Sequence, residues 1–299
     1  MNYKDFKDYP SLIDILKNRN LIVKDEKQAI KFLEKNHYYR LSSYFIPFQH
    51  PKNSPCKDMF QDGTTFEDIV LLYNFDTDLR KFVFNYLSEL EIILRAQISH
   101  IHSKQYKPFG YIQDIKSLKR EMRIKDRCLY GDLIEQIDKE KKRASEDFIQ
   151  HIKTKYNTDD LPLWALVEIL SFGTLSKFVK LMQKTEQLDL MKFFELENIQ
   201  IDVFENWIET LSYVRNLCAH HSRLWNRQFV KKFKYRKNDN FLDENVDRDK
   251  IFFAVSVLTI ILKEYNIKEE FINLLNKYPS IDKAAMGIPQ NWQELNIWK

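Results

Sequence analysis

TTFEDIVLLYNFDTDLRKFVFNYLSELEIILRAQISHIHSKQY, residues 64–106, decides the fold. Thr64 followed by Glu67 is a capping-box signature, in which a hydroxyl and a carboxylate satisfy the unpaired amides of a helix start. Beyond it Ile69, Leu72, Leu79, Val83, Leu87, Leu90 and Leu94 recur at helical spacing and line one face. The spacing predicts the chain's longest helix, from Thr65 to about Tyr106, with a break or bend near Asp76–Asp78. Glu91 and Arg95 lie four apart in the order that favours an ion pair along a helix.

The same period extends on both sides. Upstream, Pro10 and Ser11 open a short helix, Asp25 caps a second through Ala29, Ile30 and Leu33, and the aromatic stretch His37–Phe48 forms a third, ended by Pro47. Residues 51–63 have the clearest loop composition, and the main boundary is placed there. Downstream, residues 131–156 read as helical with a charged solvent face at Lys139, Lys141, Lys142 and Arg143. LPLWALVEILSFGTLSKFVKLM, residues 161–182, reads as two helices joined at Gly173, with Trp164, Leu166, Ile169 and Leu170 facing the core. A helix from Ile201 to about Cys218 turns Phe204, Trp207, Ile208, Leu211 and Val214 inward, and two more cover residues 251–265 and 269–278.

Composition agrees with an all-α chain. Five glycines and eight prolines among 299 residues leave little turn chemistry for the hairpins of a sandwich or barrel, while 44% hydrophobic residues can fill a substantial core. Three cysteines, Cys56, Cys128 and Cys218, form no framework and suit a reducing cytoplasm. The amino terminus has no apolar export segment, and the longest apolar run, residues 251–262, is short of the roughly 18 residues that a membrane span needs. A net charge of +4 is mild; its clustering matters more.

That clustering surrounds RNLCAHHSRLWNR, residues 215–227. Arg215 and His220 sit about a third of a turn apart on a helix or its end, able to address one phosphodiester from two directions. Asn216 shares a face with His220 and could bond one ring nitrogen, fixing the tautomer of the other. No Asp or Glu occurs from Thr210 to Asn238, whereas Arg215, Arg223, Arg227, Lys231, Lys232, Lys234, Arg236 and Lys237 do. An acid-free basic run around histidines is suited to a polyanion. Each feature alone has a plainer reading, since histidines also cap helices and basic runs are usually solvated. A metal is not expected: adjacent histidines on a helix diverge by about 100°, and neither HExxH nor CxxC occurs. Cys218 reads as a small core residue.

HYYRLSSYF (37–45), DLRKFVFNYLSELEIILRAQI (78–98), PLWALVEILSFGTLS (162–176), RNLCAHHSRLWNR and GIPQNW (287–292) together resemble the abortive-infection (Abi) proteins of the AbiD and AbiF type, in the HEPN superfamily. The resemblance implies a HEPN-like helical bundle over residues 61–299 behind an N-terminal helical extension, residues 1–60. It further implies a metal-independent endoribonuclease centre, without cofactor, formed by Arg215, Asn216 and His220, with His221 as the second candidate histidine and Glu91 and Arg95 in support. A homodimer, a role in phage defence or toxin-like growth arrest, and a small RNA or antitoxin partner are also implied.

The chemistry expected is attack of a ribose 2′-hydroxyl on the adjacent phosphorus, leaving a 2′,3′-cyclic phosphate and a 5′-hydroxyl. A histidine can carry the protons near neutral pH, and an arginine fork can hold the phosphate oxygens. The basic run then guides the RNA backbone, with Tyr235 as a stacking ring, whereas Trp225 and Phe233 read as core. The competing function is a non-catalytic helical module that binds a small RNA or a protein.

Overall fold

The structure is a computed structural model, and it describes residues 5–235 and 246–299. Among these residues there are thirteen α-helices and one two-stranded hairpin, so the protein is all-α. The helices are α1 (Tyr9–Asn18), α2 (Glu26–Lys35), α3 (Tyr38–Ser42), α4 (Phe66–Tyr106), α5 (Gly110–Gln113), α6 (Leu129–Arg143), α7 (Asp147–Tyr156), α8 (Leu163–Ile169), α9 (Phe172–Leu181), α10 (Lys184–Phe193), α11 (Ile201–Ala219), α12 (Ile251–Ile261) and α13 (Ile267–Lys277). Chain contacts define two compact units, Met1–Arg80 with Asn273–Ile281, and Lys81–Ile272 with Asp282–Lys299.

The first unit is built on α1 and α2, capped by Asp8 and Asp25, whose carboxylates accept from Ser11 and Gln28 amides. Ile13, Leu16, Leu33, Leu41, Phe45 and Phe60 form its core with Ile69, Leu72 and Phe75. The aromatic stretch is two short helices, α3 and a 3₁₀ turn at Ile46–Phe48 that contains Pro47. The α4 helix begins one residue later than its sequence signature: Thr65 Oγ1 accepts from the Asp68 amide, and the Asp68 carboxylate accepts from the Thr65 amide at 2.9 Å.

The break expected near Asp76–Asp78 does not occur; α4 is unbroken over 41 residues. Two acids mid-helix suggested a turn because neither is helix-favouring, but both have partners. Asp76 is fully buried, accepts from the Tyr44 hydroxyl at 2.6 Å and pairs with Arg80 one turn on. Burial, then the Asp76 carboxylate, pushes the Tyr44 hydroxyl far above the ordinary tyrosine range. Asp78 accepts from Lys277 at 2.7 Å and from the Tyr278 hydroxyl at 2.8 Å. Buried polar groups must be bonded, so these contacts fix the helix register.

In the second unit α9 packs along α11 and α6 lies against α8 and α9. Every residue of α12, IFFAVSVLTII, is buried, which explains a run with no polar face. The α8–α9 joint falls at Leu170–Ser171, with Ser171 capping α9 and Gly173 inside its first turn. Glu140 of α6 accepts from the Ser171 amide and from the Ser171 and Thr174 hydroxyls, placing a carboxylate on the positive end of α9. Leu166 and Leu170 are core, but Trp164, expected inward, is 51% exposed. Gly110 is required by space: a Cβ there would stand 2.4 Å from the Tyr106 Cβ as the chain turns back after α4. The short hairpin, Arg123–Ile124 with Arg127–Cys128, has no turn signature in sequence and was not expected.

Candidate catalytic centre on α11

Helix α11 turns Phe204, Trp207, Ile208, Leu211, Val214 and Cys218 inward, so the remaining face at its last turns carries Arg215 and Asn216. Its end is a Schellman motif. His220 is the C-cap, His221 adopts the left-handed region at φ +53°, and the Ser222 amide donates back to the Leu217 carbonyl at 2.8 Å. Glycine is the usual residue at such a position, because a Cβ there costs energy. The motif turns the chain sharply at the two histidines and leaves both exposed.

Arg215 reaches across to α4. Its Nε donates to Glu91 Oε2 at 3.1 Å, and its guanidinium lies over Phe84, 5.8 Å from the ring centroid. Arg95, one turn along α4, donates to the other oxygen of Glu91 at 2.7 Å and to the Leu170 carbonyl at 3.0 Å. One carboxylate thus bridges two guanidiniums, and the trio carries a surplus of one positive charge. The side chain of Glu91 is only 7% exposed, while those of Arg95 and Arg215 keep 23% and 28%. The acid is buried as an anchor and the cations keep more exposure, although the Nε of Arg95 is enclosed without a hydrogen-bond partner.

The expected bond from Asn216 to the His220 ring is not the one formed. The Asn216 carboxamide oxygen lies toward Arg215, with Nη1 at 3.5 Å, and the His220 ring has no hydrogen-bond partner among the described residues. The one-turn spacing would have allowed the bond; the guanidinium on the neighbouring residue competes for the same oxygen. Among the described residues no three His, Cys, Asp or Glu side chains gather in a way that could hold a metal ion.

The basic run meets acids that its own stretch of sequence lacks. Residues 229–235 form a strap clipped to α11 and to residues 248–249: the Trp207 indole donates to the Lys234 carbonyl at 3.0 Å, and the Phe229 amide to the Asp249 carbonyl at 2.7 Å. Lys231 pairs with Glu209 at 2.6 Å, Lys232 with Asp249 at 2.8 Å and Lys234 with Asp202 at 2.7 Å. The stretch is acid-free in sequence because its counter-charges come from α11 and Asp249. Asp202, Asn206 and Glu209 recur along one face of α11, a signal that could have found this. Lys234 holds the Asp202 carboxyl below the usual carboxylate range. Burial works to raise Glu209, and Lys231 and Lys180 outweigh it, so its carboxyl also sits low.

Arg223 and Arg227 are half-buried, and the Nε of Arg227 is enclosed without a hydrogen-bond partner. Trp225 and Phe233 are core, as read: the indole donates to the Asp282 carbonyl at 3.1 Å, and Phe233 stacks on Phe253 at 5.3 Å. Tyr235 is half-buried, and Arg236 and Lys237 lie outside the described residues.

Fold and centre define the class: an all-α protein in which two arginines on neighbouring helices share a buried glutamate beside a pair of exposed helix-end histidines. The family described as Abi-like protein matches residues 31–226, and the chain belongs to that family, one associated with abortive infection. No curated protein and no solved structure matches it. Among the described residues no helix is long and apolar enough to cross a membrane.

Proposed function

We propose that this Abi-like protein is a metal-independent endoribonuclease of the HEPN type that acts in abortive infection against phage. The observation that carries the reading is how Arg215 is held. Glu91 takes the Nε, so the planar fork is fixed while Nη2 has no partner among the described residues and Nη1 has only the 3.5 Å contact to Asn216. A guanidinium anchored by one edge and open at the other is prepared to grip two phosphate oxygens. Arg95, sharing the same carboxylate, adds the second positive charge that a pentacovalent phosphorane, more negative than the diester, favours.

His220 then takes the proton from the ribose 2′-hydroxyl. The 2′-oxygen bonds to phosphorus, the bond to the 5′-oxygen breaks, and a second histidine gives that oxygen its proton. Products are a 2′,3′-cyclic phosphate and a 5′-hydroxyl. One imidazole cannot serve both sides at once, so a homodimer supplies His220 twice, with His221 the alternative donor on the same turn. Proton transfer of this kind contributes typically 10²–10⁴-fold to rate. Arg223 and Arg227 guide the backbone; Lys231, Lys232 and Lys234 contribute less, because each already faces a carboxylate.

The test is incubation of the purified protein with mixed RNAs in EDTA, followed by analysis of the product ends. Cyclic phosphate and 5′-hydroxyl termini that disappear in His220→Ala and Arg215→Ala, with RNA binding retained, support the reading. RNA bound by the wild-type chain and left intact identifies the non-catalytic module instead.

A further inference from the structure

The first unit carries a surface that the centre on α11 does not use. Along α2, Lys27, Lys31 and Lys35 are exposed and four residues apart, about 6 Å per step on one side of the helix. None has an ion-pair partner among the described residues. Neighbouring acids are occupied or aside: Asp25 caps the helix, Glu26 pairs with Lys17, and Glu34 flanks the row without bonding to it. Like charges one turn apart weaken a helix, so the row has two unfavourable spacings with no compensating ion pair among the described residues.

Four residues past Lys35 stands Tyr39, 62% exposed. The His37 ring lies against it, with centroids 5.5 Å apart and planes at 23°. That slab is pre-set: His37 Nδ1 accepts the Tyr39 amide at 3.3 Å, fixing the imidazole, and Tyr38 packs edge-on at 5.9 Å. Free cations along α2 and, on the helix that follows it, an exposed ring supported from behind are the two elements of single-strand recognition: a backbone track and a stacking platform. The lysine repeat is comparable to the phosphate repeat of an extended strand.

We infer that the N-terminal unit binds a single-stranded polynucleotide, with phosphates along Lys27, Lys31 and Lys35 and a base stacked on Tyr39. This does not depend on cleavage at Arg215 and His220. The probe is therefore a fluorescent 2′-O-methyl oligouridine of about 16 residues, which has phosphates and bases but no 2′-hydroxyl to attack, titrated with the full chain. Tyr39→Ala weakens binding about tenfold while Tyr39→Phe leaves it unchanged, in line with the usual strength of a base–aromatic stack. Lys31→Ala with Lys35→Ala flattens the dependence of log Kd on log salt by about 0.7 for each lysine removed. Glu34→Gln tightens binding. All four positions are on the surface, and unchanged circular dichroism confirms the fold of each variant. The inference is overturned if the Tyr39 and lysine variants bind as wild type, if a duplex of equal length competes as well as the single strand, or if the lysines matter only for anionic phospholipid vesicles. Loss of RNA cleavage alone leaves it standing, and its own failure leaves the centre on α11 untouched.

Discussion

Replacing Glu91 with alanine tests the centre most directly. The side chain is 7% exposed and accepts from Arg95 at 2.7 Å and from Arg215 at 3.1 Å. Removing one member of a buried ion pair costs about 3–5 kcal/mol, because the remaining charge is left uncompensated. Here the two arginines retain 23% and 28% exposure and can turn partly to water, so the expected loss is about 2–3 kcal/mol. For a chain of this size that corresponds to a fall in Tm of about 3–5 °C. Glu91→Gln keeps an acceptor and loses the charge, so its Tm falls between the two. Thermal unfolding by circular dichroism reads both, and the Glu91→Ala cost shrinks by about 1 kcal/mol or more on an Arg215→Ala background if the two groups are coupled. An unchanged Tm for Glu91→Ala, or costs that simply add with Arg215→Ala, refutes the anchoring role.

Other outcomes follow from the same geometry. Arg215→Lys retains charge but cannot hold Glu91 with one edge and phosphate with the other, so cleavage falls about 10²–10³-fold while RNA affinity changes little, as single-turnover and binding assays on one substrate resolve. His221→Gly relieves the left-handed strain at φ +53° and raises stability by about 0.5–1 kcal/mol in denaturant unfolding. Retained cleavage in that variant, with loss in His220→Ala, assigns the proton transfer to His220. The depressed carboxyls of Asp202 and Glu209 give a pH signature. Lowered folded-state values mean a contribution fully present above the unfolded values of 3.8 and 4.5, and lost as pH falls through the folded ones. Amide protection in residues 229–235, taken relative to the intrinsic exchange rate at each pH, is therefore lost below about pH 4 before the core of α11 opens, and equal protection of strap and core down to pH 3 counts against it.

Legibility in the sequence followed the physics of each signal. Apolar periodicity is a direct consequence of burial, so α4, α11 and α12 were readable, with α11 ending within a residue of Cys218. Asp76 misled because its partner Tyr44 is 32 residues away, and no local pattern announces that contact. Trp164 misled because an indole is usually buried, whereas here its position on the short α8 faces out. The centre was partly visible: Arg215, Asn216 and His220 are close in sequence, while Glu91 with Arg95 read from spacing as an ordinary helix pair and only the family resemblance put them in support of the centre. That Glu91 also holds Arg215, 124 residues on, is a tertiary fact. The basic run shows the reverse, a local pattern whose charges are answered from distant positions. The Asn216 contact was a choice between two neighbours at similar range, which spacing cannot settle.

The clipped strap has a practical consequence for any experiment in which salt is varied. Lys231, Lys232 and Lys234 hold residues 229–235 to Asp202, Glu209 and Asp249 through pairs in which the lysines are open to solvent. Exposed pairs are screened within a Debye length of about 8 Å at physiological ionic strength. Added salt thus releases ions from any bound strand and at the same time slackens a fastening inside the protein, two turns from Arg215. A steep salt slope will overcount the phosphates touched unless the slackening is measured in the unliganded chain and subtracted.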